Sequence, residues 1–529
     1  MRNKKLLFFT SLLTLLLLKH EFLFSQQLNY TLSRDFLWGI DASLNSKEQN
    51  AQTFIKPYTF ETVKSIKDST AVFPRLLAGT KAEERDKKAK SQIEIYPLLN
   101  VSAGYEAGVT NRFSNDLAIG AHLLGYIGNK FAFNFKALGG KTVFNSFTDS
   151  IVSETNVNPG IGYVYRSNND SLNQQYAYQY FSGYITYAPN KIFNIQLGQD
   201  KHFWGDGYRS LFLSDNASPY PYMKITTNVW KLTYTNLFTI MRDATNPSGM
   251  KKDWLFKYAT LHHLGWNATK RINIGVFESV VWQGSDSTRY RGYDVNYLNP
   301  IIFFRPTEYS LGSSDNAFVG FNFKIKLFKK QQVYGQLLLD EFLLKEVTAN
   351  KGWWANKQAF QIGFKSFDMF KIKHFNFQTE FNYVRPYTYA HGSVQQSYGH
   401  MNQALAHPLG ANFWESVSFM NYRYKRLFIE GKLQYAVYGG DSAGTDYGKN
   451  IFISYKNRPS DYGNFTTQGF QTNLITAALR AAYILDTRMN LKIELGGAYR
   501  VEERTRSTKQ TPYFFIGLRT DLSNIYTDI

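Results

Sequence analysis

The stretch Met489–Val501, MNLKIELGGAYRV, alternates apolar and polar residues along most of its length. In an extended chain Leu491 and Ile493 fall on one face, while Lys492 and Glu494 fall on the other. Such alternation predicts a β-strand. Its length exceeds the usual strand of about five or six residues and is typical of a tilted transmembrane strand.

About eighteen similar runs follow one another from residue 92 onward. They start near Gln92, Asn115, Lys130, Ala177, Lys191, Tyr222, Trp230, Trp254, Arg271, Asn316, Gln331, Lys357, Lys371, Asn412, Arg426, Phe470, Met489 and Pro512. Bulky apolar side chains on one face suit lipid, and charged side chains on the other suit the inside of a barrel. The sequence therefore predicts an all-β outer-membrane β-barrel of about 18 antiparallel strands.

The connections between these runs alternate in length. Short turns such as Gly128–Asn129, Pro189–Asn190 and Tyr424–Lys425 alternate with long segments such as Lys141–Gln175 and Arg385–Ala411. Short periplasmic turns and longer outer loops are typical of outer-membrane barrels. We therefore expect both chain ends on the periplasmic side and the long segments on the outer side, folded inward.

The N-terminal segment has the form of a secretion signal. Three basic residues in the first five positions precede the apolar stretch Leu6–Leu18, and cleavage is predicted after Ser25. We expect residues 1–25 to be a signal peptide and residues 26–90 to be a small periplasmic region that is partly helical. Residues 91–529 are then the barrel, which places the protein in the cell outer membrane.

The chain carries a net charge of +19 and has no cysteine. It therefore has no disulfide and no thiolate metal site. A basic surface attracts nucleic acid, anionic lipid or acidic polysaccharide, and nucleic acid is not expected as a partner at a secreted address. A compositional bias of the source organism would produce the same excess. Zinc motifs and Gly-rich phosphate-binding motifs are absent from the sequence, so we expect no metal and no cofactor.

Two of the long segments concentrate aromatic and charged residues. The first, Gln199–Asn216, contains Trp204, Asp206, Tyr208 and Arg209. Sugars present an apolar ring face and hydroxyl edges, so a carbohydrate site needs aromatic rings with Asp, Asn and Arg beside them. Arginine can also bind the carboxylate of an acidic sugar through two hydrogen bonds.

The second segment, Tyr290–Asp315, contains Arg291, Asp294, Arg305 and Glu308. Together with the four residues of the first segment, these are the predicted polysaccharide contacts. The acids would accept sugar hydroxyls or orient the arginines. Alternatively, both segments fold into the lumen and brace one another, and the Arg305–Glu308 pair is then structural.

Catalytic interpretations are also open. Asp200 with Asp206 could serve a glycoside hydrolase, and the second segment offers a similar carboxylate pair. His202 with Ser210 could serve a membrane esterase. Spacing alone supports neither, so we do not expect an enzyme. An eighteen-stranded barrel is wide enough for a diffusion pore, but long inward loops argue for a plugged lumen.

Several long stretches resemble one family. Residues 198–225, GQDKHFWGDGYRSLFLSDNASPYPYMKI, resemble the signature of the capsule-assembly Wzi family. Residues 291–320 and 512–526 resemble its Bacteroidota branch, which includes the gliding-motility protein RemB. The resemblance implies an eighteen-stranded outer-membrane barrel, and it supplies no catalytic residue. Gly205–Gly207 departs from the Trp-Gly-Pro-Gly form of the enterobacterial branch, so sugar contacts are not carried over from it.

In one branch of this family, the resemblance implies a lectin-like barrel that binds surface polysaccharide and organises the capsule. In the other branch, it implies a role in gliding motility and adhesion. We therefore expect a non-enzymatic barrel that binds acidic or neutral capsular or exopolysaccharide, surrounded by outer-membrane lipid including lipopolysaccharide. The alternative is a surface protein that acts through motility or secretion-machinery proteins.

Overall fold

Eighteen antiparallel strands pair in chain order, and the first pairs with the last to close a barrel. The structure is a computed structural model, which describes residues 28–46, 51–59, 62, 91–108, 111–167, 174–245, 251–285, 290–301, 315–442, 444–487, 489–520, 524 and 526. The barrel strands are β1 Ser91–Glu106, β2 Arg112–Ile127, β3 Phe131–Val143, β4 Gln175–Tyr187, β5 Phe193–Asp200, β6 Tyr220–Val229, β7 Leu232–Asp243, β8 Leu255–Trp266, β9 Ile272–Gln283, β10 Asn316–Lys326, β11 Gln331–Leu339, β12 Gln358–Ser366, β13 Phe375–Val384, β14 Phe413–Tyr424, β15 Leu427–Gly440, β16 Phe470–Asp486, β17 Leu491–Arg504 and β18 Ser507–Arg519. The predicted fold class and strand number are confirmed.

The period-two pattern separates the two faces of the wall. In β10, Asn322 and Lys324 face the lumen and are buried, while Phe321 faces outward and is exposed. On β1 and β2, the outward-facing Ile95 and Ile119 are 71% and 68% exposed. Exposed apolar side chains of this kind form the lipid-facing surface of a membrane barrel.

The connections follow the predicted alternation, with two exceptions. Short turns join β2 to β3, β4 to β5 and so on, and the long loops lie at the opposite end. At the long-loop end, however, only residues 107–111 join β1 to β2, and only residues 505–506 join β17 to β18. These strands have 13 to 16 residues, so they continue as hairpins where neighbouring strands give way to loops.

In the described residues, three α-helices accompany the strands: α1 Arg34–Leu44, α2 Ser146–Thr155 and α3 Leu344–Ala349. Three two-stranded pairings lie in the loops or inside the barrel: Ile55–Lys56 with Phe203–Trp204, Val157–Asn158 with Gly162–Arg166, and Gly399–His400 with Gln403–Ala404. Within the described part of the chain, no helix has the length and apolar character needed to cross a bilayer.

Residues 28–46 and 51–59 lie inside the lumen at the short-turn end, whereas the sequence predicted a periplasmic region there. Lys326 Nζ donates to the carbonyl of Leu44 (2.8 Å), and Lys365 Nζ donates to Asp41 (2.7 Å). The cause is charge complementarity, since the lumen wall supplies cations and α1 supplies carboxylates. The boundaries at residues 25 and 90 stay predictions, because residues 1–27 and 63–90 lie outside the described residues.

Asp35 in the first turn of α1 fixes the helix to β16 and β17 of the barrel wall. Its carboxylate accepts hydrogen bonds from Arg480 and from Lys492 Nζ (3.1 Å). Burial alone would raise the pKa of Asp35, but these two cations hold the pKa well below its usual range. The N-terminal position also suits a negative charge, because it faces the positive end of the helix dipole.

An apolar core fills the middle of the lumen. Leu211, Phe212 and Leu213 of the loop after β5 are fully buried there. Phe212 stacks on Phe277 of β9 with ring centroids 4.5 Å apart. The lumen face of the wall is therefore covered by protein, as expected for inward-folded outer loops.

Candidate functional site

The loop after β5, residues 201–219, is the plug loop. It pairs with the N-terminal segment through Phe203–Trp204 and Ile55–Lys56. Trp204 is fully buried and lies edge-on to His263 and Phe277, with ring centroids 5.9 Å from each. Gln336 of β11 holds the turn, since its amide donates to the carbonyl of Trp204 (2.9 Å).

Arg209 links the plug loop to β14. Its guanidinium donates to both oxygens of Glu415 (3.0 and 3.3 Å), and both side chains are buried. His407 Nε2 lies 2.8 Å from the same carboxylate. The backbone amides of Tyr208 and Arg209 donate to Glu380 (2.8 and 3.1 Å). The loop is thus held by two buried carboxylates of the wall.

The four residues predicted in the first segment lie close together. Asp206 lies 3.8 Å from Lys56 Nζ, and Tyr208 packs on Phe419 with ring centroids 4.6 Å apart. All four are at most 5% exposed, and they contact the wall and the N-terminal segment. These contacts are the mutual bracing that the alternative interpretation described. The assignment of these residues as polysaccharide contacts stays a prediction.

The second segment lies elsewhere. Arg291 donates to Asp294 (2.7 and 3.1 Å) and to Asp315 (2.8 and 2.9 Å). This cluster lies at the rim on the outward face of the wall, so it does not adjoin Trp204 in the lumen. Arg305 and Glu308 lie outside the described residues.

The geometry does not assemble the esterase pair considered from the sequence. His202 Nδ1 lies 3.3 Å from the Tyr220 hydroxyl, and Ser210 Oγ donates to the carbonyl of Trp204. Burial holds the pKa of His202 well below its usual range, so its ring stays neutral. Among the described residues, no group of three or more His, Asp or Glu side chains is placed to hold a metal ion.

A cavity of about 1300 Å³ opens at the long-loop end, and we name it the outer cavity. Its walls are α2, the plug loop, the loops 385–412 and 441–469, and the ends of β15 to β18. Its volume exceeds the roughly 300–1,000 Å³ of typical small-molecule sites. It can therefore accept a ligand larger than a single small molecule.

The lining of the outer cavity combines rings, amides and cations. The aromatic members are Tyr438, Phe452 and Phe470; the cations are Lys449, Arg504 and Arg506; the amides include Asn216, Asn402, Gln403, Asn450 and Gln471. This composition offers ring faces together with hydrogen-bond donors and acceptors, as a sugar-binding surface requires. Sequence reasoning missed these residues, although 441–469 has the length and the mixed polar and aromatic content that singled out the other two segments.

Lys449 is the most constrained of these cations. Its Nζ lies 4.7 Å from the centroid of the Tyr438 ring, within cation–π range. Burial lowers the pKa of Lys449, and the nearby Asp441 partly opposes this change. Asp441 also accepts the backbone amides of Tyr447 and Asn450 (2.7 and 2.8 Å), so it shapes the loop that carries Lys449.

A closed ladder of strands, an apolar outward face and a filled lumen define an outer-membrane β-barrel that contains its own plug. Among solved structures, the chain is similar to Wzi, an outer-membrane protein involved in group 1 capsule assembly in Escherichia coli and a carbohydrate-binding β-barrel. The identity is 13%, the alignment covers 93% of this chain and 99% of that chain, and the TM-score is 0.57. The predicted likeness to Wzi is thereby confirmed for the fold.

Two further solved structures are Pseudomonas aeruginosa OprD and OpdK, each at 9% identity over 81% of this chain. The alignments cover 94% and 98% of those chains, with TM-scores of 0.43 and 0.44. No protein-family model and no curated protein sequence matches the chain. The Bacteroidota branch therefore stays a prediction from the sequence motifs.

Proposed function

We propose that this barrel binds surface polysaccharide in the outer cavity. The observation that carries the proposal is the combination of Tyr438, Phe452 and Phe470 with cations and amides around one cavity at the long-loop end. Rings bind the apolar faces of sugars, and amides bind their hydroxyls. A polymer can reach this site from outside the cell, and the filled lumen below it gives the polymer a floor.

The charge of the lining favours glycans that carry carboxylate groups. Three cations, Lys449, Arg504 and Arg506, face two acids, Glu154 and Asp441. Asp441 is already engaged with backbone amides, and Arg504 donates to Glu502. Lys449 and Arg506 are therefore the cations we assign to the ligand.

The proposal is tested with purified protein, folded in detergent, and capsular or exopolysaccharide from its own source. Tyr438→Ala should weaken binding by about tenfold, since a stacked ring contributes roughly 0.5–1.5 kcal/mol beyond its buried area. Lys449→Met should weaken the binding of an acidic glycan more than the binding of a neutral one. The matched control is Phe465→Ala, an exposed ring that lies in the loop of Lys449 but does not line the cavity. Unchanged binding by both cavity variants would refute the assignment.

Trp204, one of the residues predicted from the sequence to bind polysaccharide, lies in the plug loop and can be tested in the same way. If Trp204 contacts the glycan directly, Trp204→Ala should abolish binding while the plug loop keeps its protection from hydrogen exchange. If Trp204 only supports the floor of the cavity, binding and protection should fall together. Hydrogen exchange measured beside binding separates these two roles.

The sequence motifs 291–320 and 512–526 support a second candidate function, in gliding motility or adhesion through protein partners. A deletion strain distinguishes the two functions. Loss of gliding or adhesion that Tyr438→Ala and Lys449→Met still restore would favour the protein-partner role. Loss of surface glycan attachment that these variants fail to restore would favour polysaccharide binding.

A further inference from the structure

Outward-facing side chains are exposed on most of the barrel, but several of them are buried in one patch on β7 to β9. On the opposite wall, Leu117 of β2 and Leu479 of β16 are 58% and 62% exposed. On β7 to β9, the outward-facing Asn236, His262 and Glu278 are at most 2% exposed. This covered patch is also polar, which a surface in contact with lipid does not tolerate.

The strand register establishes that these residues face outward. His263 of β8 and Phe277 of β9 both contact Trp204, so they face the lumen. Successive side chains of a strand point to opposite faces, so His262 and Glu278 face away from the lumen. The two lie opposite each other in the β8–β9 ladder.

Residues 290–301, which we name the outer-wall flap, fold over the outside of this wall. The ring of Tyr293 lies 5.1 Å from that of Trp282, and the ring of Tyr297 lies 4.8 Å from it. The Tyr293 hydroxyl lies 3.0 Å from Thr260 Oγ1. Trp282 and Thr260 share the outward face with His262 and are fully buried, so the flap replaces lipid as their neighbour.

An ion-pair cluster fixes the flap at the rim. Arg291 bridges Asp294 of the flap and Asp315 at the start of β10. The Tyr297 hydroxyl donates to the same Asp315 (2.8 Å). Two of the residues predicted to bind sugar, Arg291 and Asp294, therefore hold the flap against the wall.

The flap reaches the depth of the hydrocarbon layer. A strand that rises about 3.3 Å per residue and tilts by about 40° climbs roughly 2.5 Å per residue along the barrel axis. Val280, which the flap cluster covers, lies eight residues beyond Ile272 at the short-turn end of β9. That is a height of roughly 20 Å, inside an apolar band about 25 Å tall.

We propose that the outer-wall flap is inserted among the acyl chains of the outer leaflet and forms the lipid-facing surface over β8 and β9. Its exposed side chains include Val295 and Ile301, which are 73% and 68% exposed. Ile240 on β7 and Phe321 on β10 are also exposed on the outward face of the wall. The occupant of this face is outer-leaflet lipid, and the flap shields Trp282, Thr260 and Val280 behind it.

The test uses the absence of cysteine from the chain, which makes any introduced cysteine unique. Val295→Cys and Ile301→Cys are labelled separately with a nitroxide, and the protein is reconstituted into lipid vesicles. Collision with oxygen, which enters hydrocarbon, is compared with collision with a water-soluble nickel chelate. Leu495→Cys provides the reference for the lipid-facing surface, and Ser460→Cys provides the reference for an exposed loop.

Both flap labels should match Leu495→Cys, with nickel collisions at least about tenfold rarer than at Ser460→Cys, because the chelate does not enter hydrocarbon. Nickel access equal to that at Ser460→Cys would overturn the proposal by placing the flap in water. Exclusion of both reagents would also overturn it, because another protein would then cover this face. Two separate positions keep the test decisive if one variant fails to fold.

Discussion

Replacing Glu415 by glutamine should release the plug loop without opening the barrel. Glu415 is fully buried and accepts hydrogen bonds from Arg209, His407, Gln434 and Asn382. Glu415→Gln keeps the shape but removes the charge, and it points an amide donor at groups that are themselves donors. The substitution leaves the backbone hydrogen bonds of the strands beside position 415 unchanged. The expected loss of stability is therefore confined to the docked plug loop.

The magnitude follows from the burial of the pair. Breaking one partner of a buried ion pair costs about 3–5 kcal/mol, because the remaining charge is left without compensation. At about 1.4 kcal/mol per tenfold change, local opening of the plug loop should become roughly 150- to 5,000-fold more frequent. Adding Arg209→Met to Glu415→Gln should recover part of this loss, since it removes the uncompensated cation.

Hydrogen exchange of the Tyr208 and Arg209 amides measures this opening, because both amides donate to Glu380 when the loop is docked. The matched control is Asp461→Asn, whose ion pair with Arg458 is largely exposed and should contribute no more than about 1 kcal/mol. A decrease of less than about tenfold in protection for Glu415→Gln would refute the reasoning. It would show that the ion pair with Glu415 is not what holds the loop.

Two further predictions concern buried carboxylates. Burial, together with the neighbouring Asp441, raises the pKa of Asp446 from 3.8 to about 7. The folded loop therefore keeps a proton that the unfolded chain releases, and stability falls as the pH rises from about 4 to 7, by at most about 4 kcal/mol. Asp446→Asn should remove this dependence in melting curves between pH 5 and 8; an unchanged slope would exclude Asp446 as its source. Asp35→Asn should destabilise α1 in the lumen by about 3–5 kcal/mol, because Arg480 and Lys492 lose their buried partner. Hydrogen exchange confined to residues 34–44 and an increased conductance in planar bilayers would support this; unchanged exchange would contradict it.

The barrel could be predicted from the sequence because its signals are local. The alternation of Phe321 with Asn322 and Lys324 follows from the period of two in a strand, and it needs no knowledge of distant residues. The parity of short and long connections is also read directly along the chain. These two patterns fixed the strand number and the end at which the long loops lie.

The contacts inside the lumen could not be predicted, because the residues that contact each other lie far apart in the sequence. Arg209 and Glu415 lie 206 residues apart, and Asp35 and Arg480 lie 445 residues apart. No short pattern links such pairs, so Trp204 and Arg209 were singled out by composition while their wall partners were missed. The outer cavity was missed for the same reason, since several loops build it jointly.

The covered patch on the outer wall did leave a signal in the sequence. His262 and Glu278 interrupt the apolar face of β8 and β9, where a strand in contact with lipid should carry bulky apolar residues. A polar residue on the lipid-facing face indicates that something other than lipid covers it. That rule could have indicated, before the structure was known, that part of the chain folds over the outside of β8 and β9.

The interior joins parts of the chain that are made at very different times. The backbone amide of Arg34 donates to Asn524 (3.0 Å), which lies 490 residues later, and the Asn524 amide donates to Asp215 (2.8 Å). These contacts cannot form until nearly the whole barrel has been synthesised. The cost of closing so long a loop grows only with the logarithm of its length, so timing rather than entropy delays this step. The centre of the lumen can therefore be completed only after the C-terminal residues have been made, and the N-terminal segment has no partner at Asn524 until then.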